Sequence, residues 1–311
     1  MPSLKDIRIR IASVKSTRKI TSAMKVVSAA KFHKAQDAQS HFQRYVDAYQ
    51  YALGQAMHYC PGYDAPLMGV QNPDAPVVLL LLTSNSSLCG AYNSSVASLA
   101  LAEIYRLRQQ AVSQQAKSKS TRAKDAQPTL ADSVKIYTFG RKGYDTLKRE
   151  GVVPVENDTA LVDKPSFQQA AELFDSLATD FLAGKISGVR LCYNRFRTAA
   201  SQEPVVEPLL PVTVSLPQEA LTSKVEYIFE PSAEQFFNYA LPQYAKLLLY
   251  TSFMNNFVGE HGARMTAMTQ ATDNADSLID ELTLAYNKAR QTAITNEILE
   301  IVSGADALKN T

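Results

Sequence analysis

Tryptophan is absent from these 311 residues, and cysteine occurs only three times. Cys60, Cys89 and Cys192 are odd in number, far apart and free of any CxxC spacing. That excludes a disulfide framework or a cysteine zinc site and suits a reducing compartment. The longest apolar run, VVLLLL at 77–82, is strand-sized, so no segment has membrane-spanning length. Neither charge sign dominates: 32 basic and 30 acidic residues leave a formal charge of +2, which makes no demand for nucleic acid. Phosphate cradles are missing as well. No GxGxxG follows a strand, and no GxxxxGK leads into Ser or Thr. His33, His41, His58 and His261 lack metal-ligand spacing, and Ser84-Asn-Ser-Ser87 lacks the GxSxG elbow of a nucleophilic serine. No catalytic, metal or cofactor site is expected. The N-terminus reads as an amphipathic helix without a signal-peptide core.

Glycine and proline are also missing from Ser3 to Leu53, and what fills that gap is periodic. Leu4, Ile7, Ile11 and Val14 step by 3 and 4. After a phase change through Ile20, Met24 and Val27, the run Ala35, Ala38, Phe42, Tyr45, Tyr49, Ala52, Ala56 alternates strictly, as a coiled-coil seam does. At the other end, Ser232 with Gln235 reads as a capping box, and Pro242 as a break or fresh start. Leu247, Tyr250, Met254, Phe257 and His261 then step by 3 and 4. A four-residue stutter follows at Gly259 and Gly262, and Met265 to Ala293 resume the pattern. Lys5 to Lys34 hold nine basic residues against Asp6 alone, whereas Asp273 to Asp306 hold seven acidic residues against Lys288 and Arg290. Matching seams of opposite charge predict an antiparallel coiled coil of the two ends.

The middle of the chain changes period. VVLLLL at 77–82, VKIYTF at 134–139 and VRLCY at 189–193 read as strands, with helical stretches at 94–110, 142–149 and 166–181, which predicts a small parallel α/β sheet. Further strands are expected near 205–209 and 225–229, and the polar stretch 113–127 reads as a loop. Gly140-Arg-Lys-Gly143 after the second strand is read as a strand-to-helix turn in preference to a phosphate contact. The resulting division is 1–58 and 232–311 as terminal helices around an α/β domain at 76–230. From the residues alone, a mechanical or structural protein is favoured over an enzyme, and a coiled-coil spacer tethering partners is the competing form.

Long stretches of the sequence resemble the γ subunit of F-type ATP synthase. The resemblance is carried by IRIRIASVKSTRKITSAMKVVSAAK at 7–31, ARMTAMTQATDN at 263–274, YNKARQTAITNEI at 286–298 and EIVSGA at 300–305. It is supported in between by LCGAYN at 88–93, YNRF at 193–196 and EYIFEP at 226–231. The resemblance implies a rotating central shaft with a Rossmann-like foot, no chemistry of its own and no cofactor. It implies α and β subunits enclosing the C-terminal tip, an ε subunit and a membrane c-ring at the foot, and a place on the cytoplasmic side of a bacterial inner membrane, with membrane contact through the ring only. Carried over position by position, it places Met24, Lys25, Arg290, Gln291, Thr295 and Glu297 at the β subunits, and Tyr227 and Glu230 at the ring and ε side. The chain departs from the family at Ser84-Asn-Ser-Ser87, where a charge pair is lost, and at Asn255, Gly259 and Gly262. The two glycines predict a locally softer helix, each costing roughly 1 kcal/mol against alanine.

Overall fold

A computed structural model describes residues 3–60, 63, 65–118, 133–214, 228–230 and 232–309. In chain order the elements are α1 (Leu4–Tyr59), β1 (Val77–Leu82), α2 (Tyr92–Ser118), β2 (Val134–Phe139), α3 (Arg141–Arg149), β3 (Glu156–Asp158), α4 (Ala160–Asp163), α5 (Phe167–Leu182), β4 (Gly188–Thr198), β5 (Ser201–Leu210) and α6 (Ala233–Lys309). They form two compact units, one of 1–29 with 264–311 and one of 30–263.

The first unit is a pair of antiparallel helices. Arg8 reaches the Tyr286 hydroxyl at 2.9 Å, Arg18 pairs with Asp276, and the hydroxyls of Thr21 and Thr272 lie 2.8 Å apart. As one number rises the other falls by nearly the same amount, which is the signature of antiparallel register. A reciprocal Ser3–Asp6 pair caps α1: the Ser3 amide donates to the Asp6 carboxylate and the Asp6 amide to Ser3 Oγ. The seam of α1 continues through Thr21 and Ser28, both buried, and half-buried Lys25. The expected phase change is therefore absent. Ile20, at 58% exposure, and Val27 face outward, while after Val14 polar residues hold the heptad line at 18, 21, 25 and 28. On α6 the seam follows Met268, Thr272, Ala275, Ile279, Leu282, Tyr286 and Ala289 as predicted, but Ala293 is exposed.

In the second unit the same alternation runs through Phe32, Ala35, Gln39, Phe42, Val46, Tyr49, Leu53 and Ala56. This corrects three of the expected seam positions by one residue. Tyr45 is 55% exposed and Val46 2%, and likewise Gln39 and Leu53 replace Ala38 and Ala52. The facing residues on α6 are again antiparallel: Gln39 with Asn255 at 3.1 Å, Phe42 edge-on to Tyr250 at 4.8 Å, and Tyr49 stacked on Tyr244 at 6.3 Å. Pro242 does not interrupt α6. One ladder bond is lost there, but Phe237, Leu241, Tyr244, Ala245 and Leu249 are buried around it. At roughly 1.5–3 kcal/mol per large apolar side chain, that burial outweighs a single break. Of the expected capping box the serine half is present, the Gln235 amide donating to Ser232 Oγ at 3.2 Å.

The sheet order is β3-β2-β1-β4-β5, parallel except for β5, which pairs antiparallel with β4. β1 explains its own unbroken apolar run. Val78, Leu80 and Leu82 point to a core shared with α5, α6 and the end of α1, whereas Leu79 and Leu81 point to Val96, Ala100 and Ile104 of α2 and Leu147 of α3. Helix α2 reaches Ser118, so the first part of the stretch read as a loop is helical. The rest of that loop, and most of the strand expected near 225–229, lie outside the described residues.

Candidate functional site

In a doubly wound sheet a ligand sits at the carboxyl ends of the strands where strand order reverses, here between β1 and β4. The carboxyl end of β1 is occupied by the protein itself. Helix α3 opens directly after Gly140, whose φ of 103° and 2.5 Å approach of a virtual Cβ to the Thr83 carbonyl oxygen admit only glycine. Its first three amides would be the anion-binding donors, yet each already faces an acceptor. Arg141 N donates to Asn85 Oδ1 at 3.0 Å, Lys142 N to the Ser84 carbonyl at 3.1 Å, and Gly143 N to Thr83 Oγ1 at 2.9 Å. Gly140-Arg-Lys-Gly143 is thus a turn stitched to the loop after β1.

From the other side α6 fills the crevice. Asn256, fully buried, donates from Nδ2 to the Thr83 carbonyl at 3.2 Å. The Tyr92 hydroxyl lies 2.8 Å from the Asn256 carbonyl oxygen and 2.9 Å from its Oδ1. Gly259 and Gly262 lie on the same buried stretch of α6. A Cβ at Gly259 would stand 3.1 Å from the Tyr92 ring, and one at Gly262 would stand 3.1 Å from the Phe32 ring and 3.2 Å from Ala199 Cα. The structure gives these glycines a packing role in addition to their propensity cost. Sequence reasoning missed Tyr92 and Asn256 in this role; the only hint was a fully polar pair, Asn255-Asn256, in an otherwise apolar run. Among the described residues, no group of three His, Cys, Asp or Glu side chains is arranged to hold a metal ion.

The second candidate surface is the end of α6 in the first unit. From Arg290 to Ser303 every side chain is exposed, including Ile294, Ile298, Leu299, Ile301 (66%) and Val302. Helical spacing puts Arg290, Ile294, Glu297 and Ile301 on one stripe, and Gln291, Thr295, Ile298 and Val302 on its neighbour. The Thr295 hydroxyl donates to the Gln291 carbonyl at 2.9 Å. Four of the sequence-predicted contact residues, Arg290, Gln291, Thr295 and Glu297, are therefore brought together among exposed apolar side chains. Met24 and Lys25 are half-buried on α1. Glu230 is exposed beside Ile228, while Tyr227 lies outside the described residues.

A family model described as ATP synthase matches residues 3–308. The ATP synthase gamma chain of Exiguobacterium sibiricum is 39% identical over 307 residues, covering 99% of both chains. That of Flavobacterium johnsoniae is 40% identical over 308 residues, again 99% of each. Among solved structures, the rotor of the Euglena gracilis mitochondrial ATP synthase has a TM-score of 0.58 at 16% identity, over 94% of this chain and 98% of that one. The central stalk and c-ring structure of the Tetrahymena thermophila mitochondrial enzyme has a chain with a TM-score of 0.51 at 20% identity, over 81% of this chain and 99% of that one. The structural likeness shows a shared fold, and the sequence match over full length shows kinship: this chain belongs to the ATP synthase gamma-chain family.

Proposed function

We infer that this chain is the central rotor of an F-type ATP synthase. It couples rotation of a membrane ion-driven ring to ATP synthesis or hydrolysis on β subunits, and performs no chemistry itself. One observation carries the reading beyond kinship: the last turns of α6 expose five large apolar side chains that nothing among the described residues covers, Ala289 being the last α6 residue with partial burial. An exposed apolar helix end of this kind is a surface suited to enclosure by other chains. The α and β subunits supply that enclosure in this reading, with Arg290, Gln291, Thr295 and Glu297 as graspable polar points among the apolar ones. Met24 and Lys25 contact β lower on the pair, and Tyr227 and Glu230 face the ε subunit and c-ring. The basic face of α1 favours acidic loops weakly, at roughly 0–1 kcal/mol per exposed pair, which suits a surface that must let go as it turns. Among the described residues no helix is long and apolar enough to cross a membrane. The rotor reading itself, through kinship with bacterial gamma chains, assigns the protein to the cytoplasmic side of a bacterial inner membrane, held there through the ring. Reconstitution of the chain with α and β subunits tests this. The complex is expected to hydrolyse ATP while turning a bead fixed to the sheet unit, and the isolated chain to hydrolyse none. Turnover by the isolated chain, or a complex that hydrolyses without rotation, would overturn it.

A further inference from the structure

We propose that Asn256 is a torsional key, a residue that resists rolling of α6 in its seat and so helps transmit torque between the sheet and the helix; the inference rests on the rotor reading above. Around it α6 buries apolar side chains such as Leu249, Phe253 and Val258, all fully buried, among polar ones that include Ser252, Glu260, His261 and Arg264, and Lys246 pairs with Asp175 of α5 at 2.8 Å. Apolar burial is non-directional, so the apolar part of this seat does less to fix the helix's angle than its hydrogen bonds do. Hydrogen bonds are directional and fix an angle. Asn256 ties α6 to the end of β1 through the Thr83 carbonyl and to the start of α2 through the Tyr92 hydroxyl. Tyr92 is itself pinned, because Asn194 Nδ2 donates to its carbonyl oxygen at 2.9 Å. A turn of about 100° round the helix, Asn255 Oδ1 accepts from Gln39 Nε2 of α1 at 3.1 Å and from the Phe196 amide of β4 at 3.4 Å. Two adjacent amides thus hold the helix from two directions. Gly259 is what lets the Tyr92 ring lie flat enough against α6 to reach Asn256. Any roll strands donors and acceptors in a dry site, where an unmet polar group is most costly. Helix α6 is continuous to Lys309, so a twist set at Asn256 is carried by its own hydrogen-bond ladder.

The test uses the assembled, ring-bearing complex with Asn256→Leu, which removes the amide, and Tyr92→Phe, which removes only the hydroxyl and keeps the ring against Gly259. Torsional stiffness is read from the angular fluctuations of a bead on the sheet unit with the tip of α6 locked. Ion pumping per ATP hydrolysed is read in vesicles. Stiffness is expected to fall roughly twofold or more for Asn256→Leu and less for Tyr92→Phe, and pumping per ATP to fall with it by about the same factor, while unloaded hydrolysis stays within about twofold of the parent. A lower melting temperature with unchanged stiffness and unchanged pumping ratio would show ordinary packing and overturn the proposal. If Asn256→Leu fails to assemble, Tyr92→Phe decides alone: parental stiffness overturns the key, and reduced stiffness supports it. Failure of the unmodified chain to assemble or rotate would instead sink the rotor reading, before any variant is compared.

Discussion

At Glu103 on α2 a nearly buried carboxylate exchanges water for two guanidinium groups. Arg106 binds it through Nε at 2.7 Å and Nη2 at 2.6 Å, and Arg190 of β4 through Nη1 at 2.8 Å. Burial pushes the Glu103 carboxyl up, but the Arg106 hydrogen bond and the Arg190 and Arg106 charges together prevail and leave it below its ordinary range. A folded-state pKa lower than the unfolded one stabilises the fold above the unfolded value of about 4.3 and loses that stabilisation as pH falls through the folded value. Because both arginines are partly exposed, the low end of the buried-pair range applies. Glu103→Gln is expected to cost about 1–3 kcal/mol at pH 7 and progressively less below pH ~4. Urea midpoints at the two pH values check it, and an equal penalty at both would remove the ion pair as the cause. Gly262 sets two effects of similar size against each other. Helix propensity favours alanine by about 1 kcal/mol, but the new methyl would press on the Phe32 ring and on the backbone at Ala199, both closer than ordinary contact. Backbone yields less readily than a ring, so Gly262→Ala is expected to gain nothing in melting temperature, and Gly262→Val to lose about 1–3 kcal/mol by overpacking.

Among the elements, the seam of α1 shows what its residues did and did not reveal. Ile7, Ala35, Phe42, Tyr49 and Ala56 were legible because apolar residues at 3-4 spacing are what the packed face of a helix requires. Arg18, Thr21, Lys25 and Ser28 were not, because a search for apolar residues steps off a heptad line wherever that line turns polar. Such a line is visible only from the partner: Thr21 is at home opposite Thr272, and Arg18 opposite Asp276. β1 was legible because it is buried on both faces. β3 was not, since three residues reading Glu-Asn-Asp carry no strand signal and pair with β2 only because the fold brings them there. Asn256 was invisible for the same reason, as its partners Thr83 and Tyr92 are far away in sequence. The threonine pair gives a direct check of the register. Thr21→Val alone is expected to cost about 1 kcal/mol, whereas Thr21→Val with Thr272→Val costs less than the sum of the singles by about 0.5–1 kcal/mol, because neither hydroxyl is then left facing a methyl group. Strict additivity would mean that the two helices do not meet at these positions.

For the molecule as a whole, folding and assembly make opposite demands on the last turns of α6. Side chains exposed in the chain alone contribute little to its own stability, so replacing them should leave unfolding unchanged. If the stretch is enclosed by other subunits, the same replacements must act on the complex, since burying an isoleucine is worth roughly 1.5–3 kcal/mol. Ile294→Ser with Ile298→Ser and Ile301→Ser is therefore expected to leave the melting temperature of the isolated chain within about 1 °C, surface changes being near-neutral. The same triple should weaken assembly or slow ATP hydrolysis by the complex by tenfold or more, one such side chain sufficing for a factor of about 10. Arg290→Ala with Gln291→Ala should spare assembly and reduce both synthesis and hydrolysis, since hydrogen bonds to charged groups carry about 1.5–3 kcal/mol. Melting of the chain alone, subunit co-elution and turnover of the complex read the three quantities separately. A spacer that merely tethers partners would show no loss of turnover with either set. Loss of melting temperature in the isolated chain would mean that these side chains are buried within it, contrary to their exposure here.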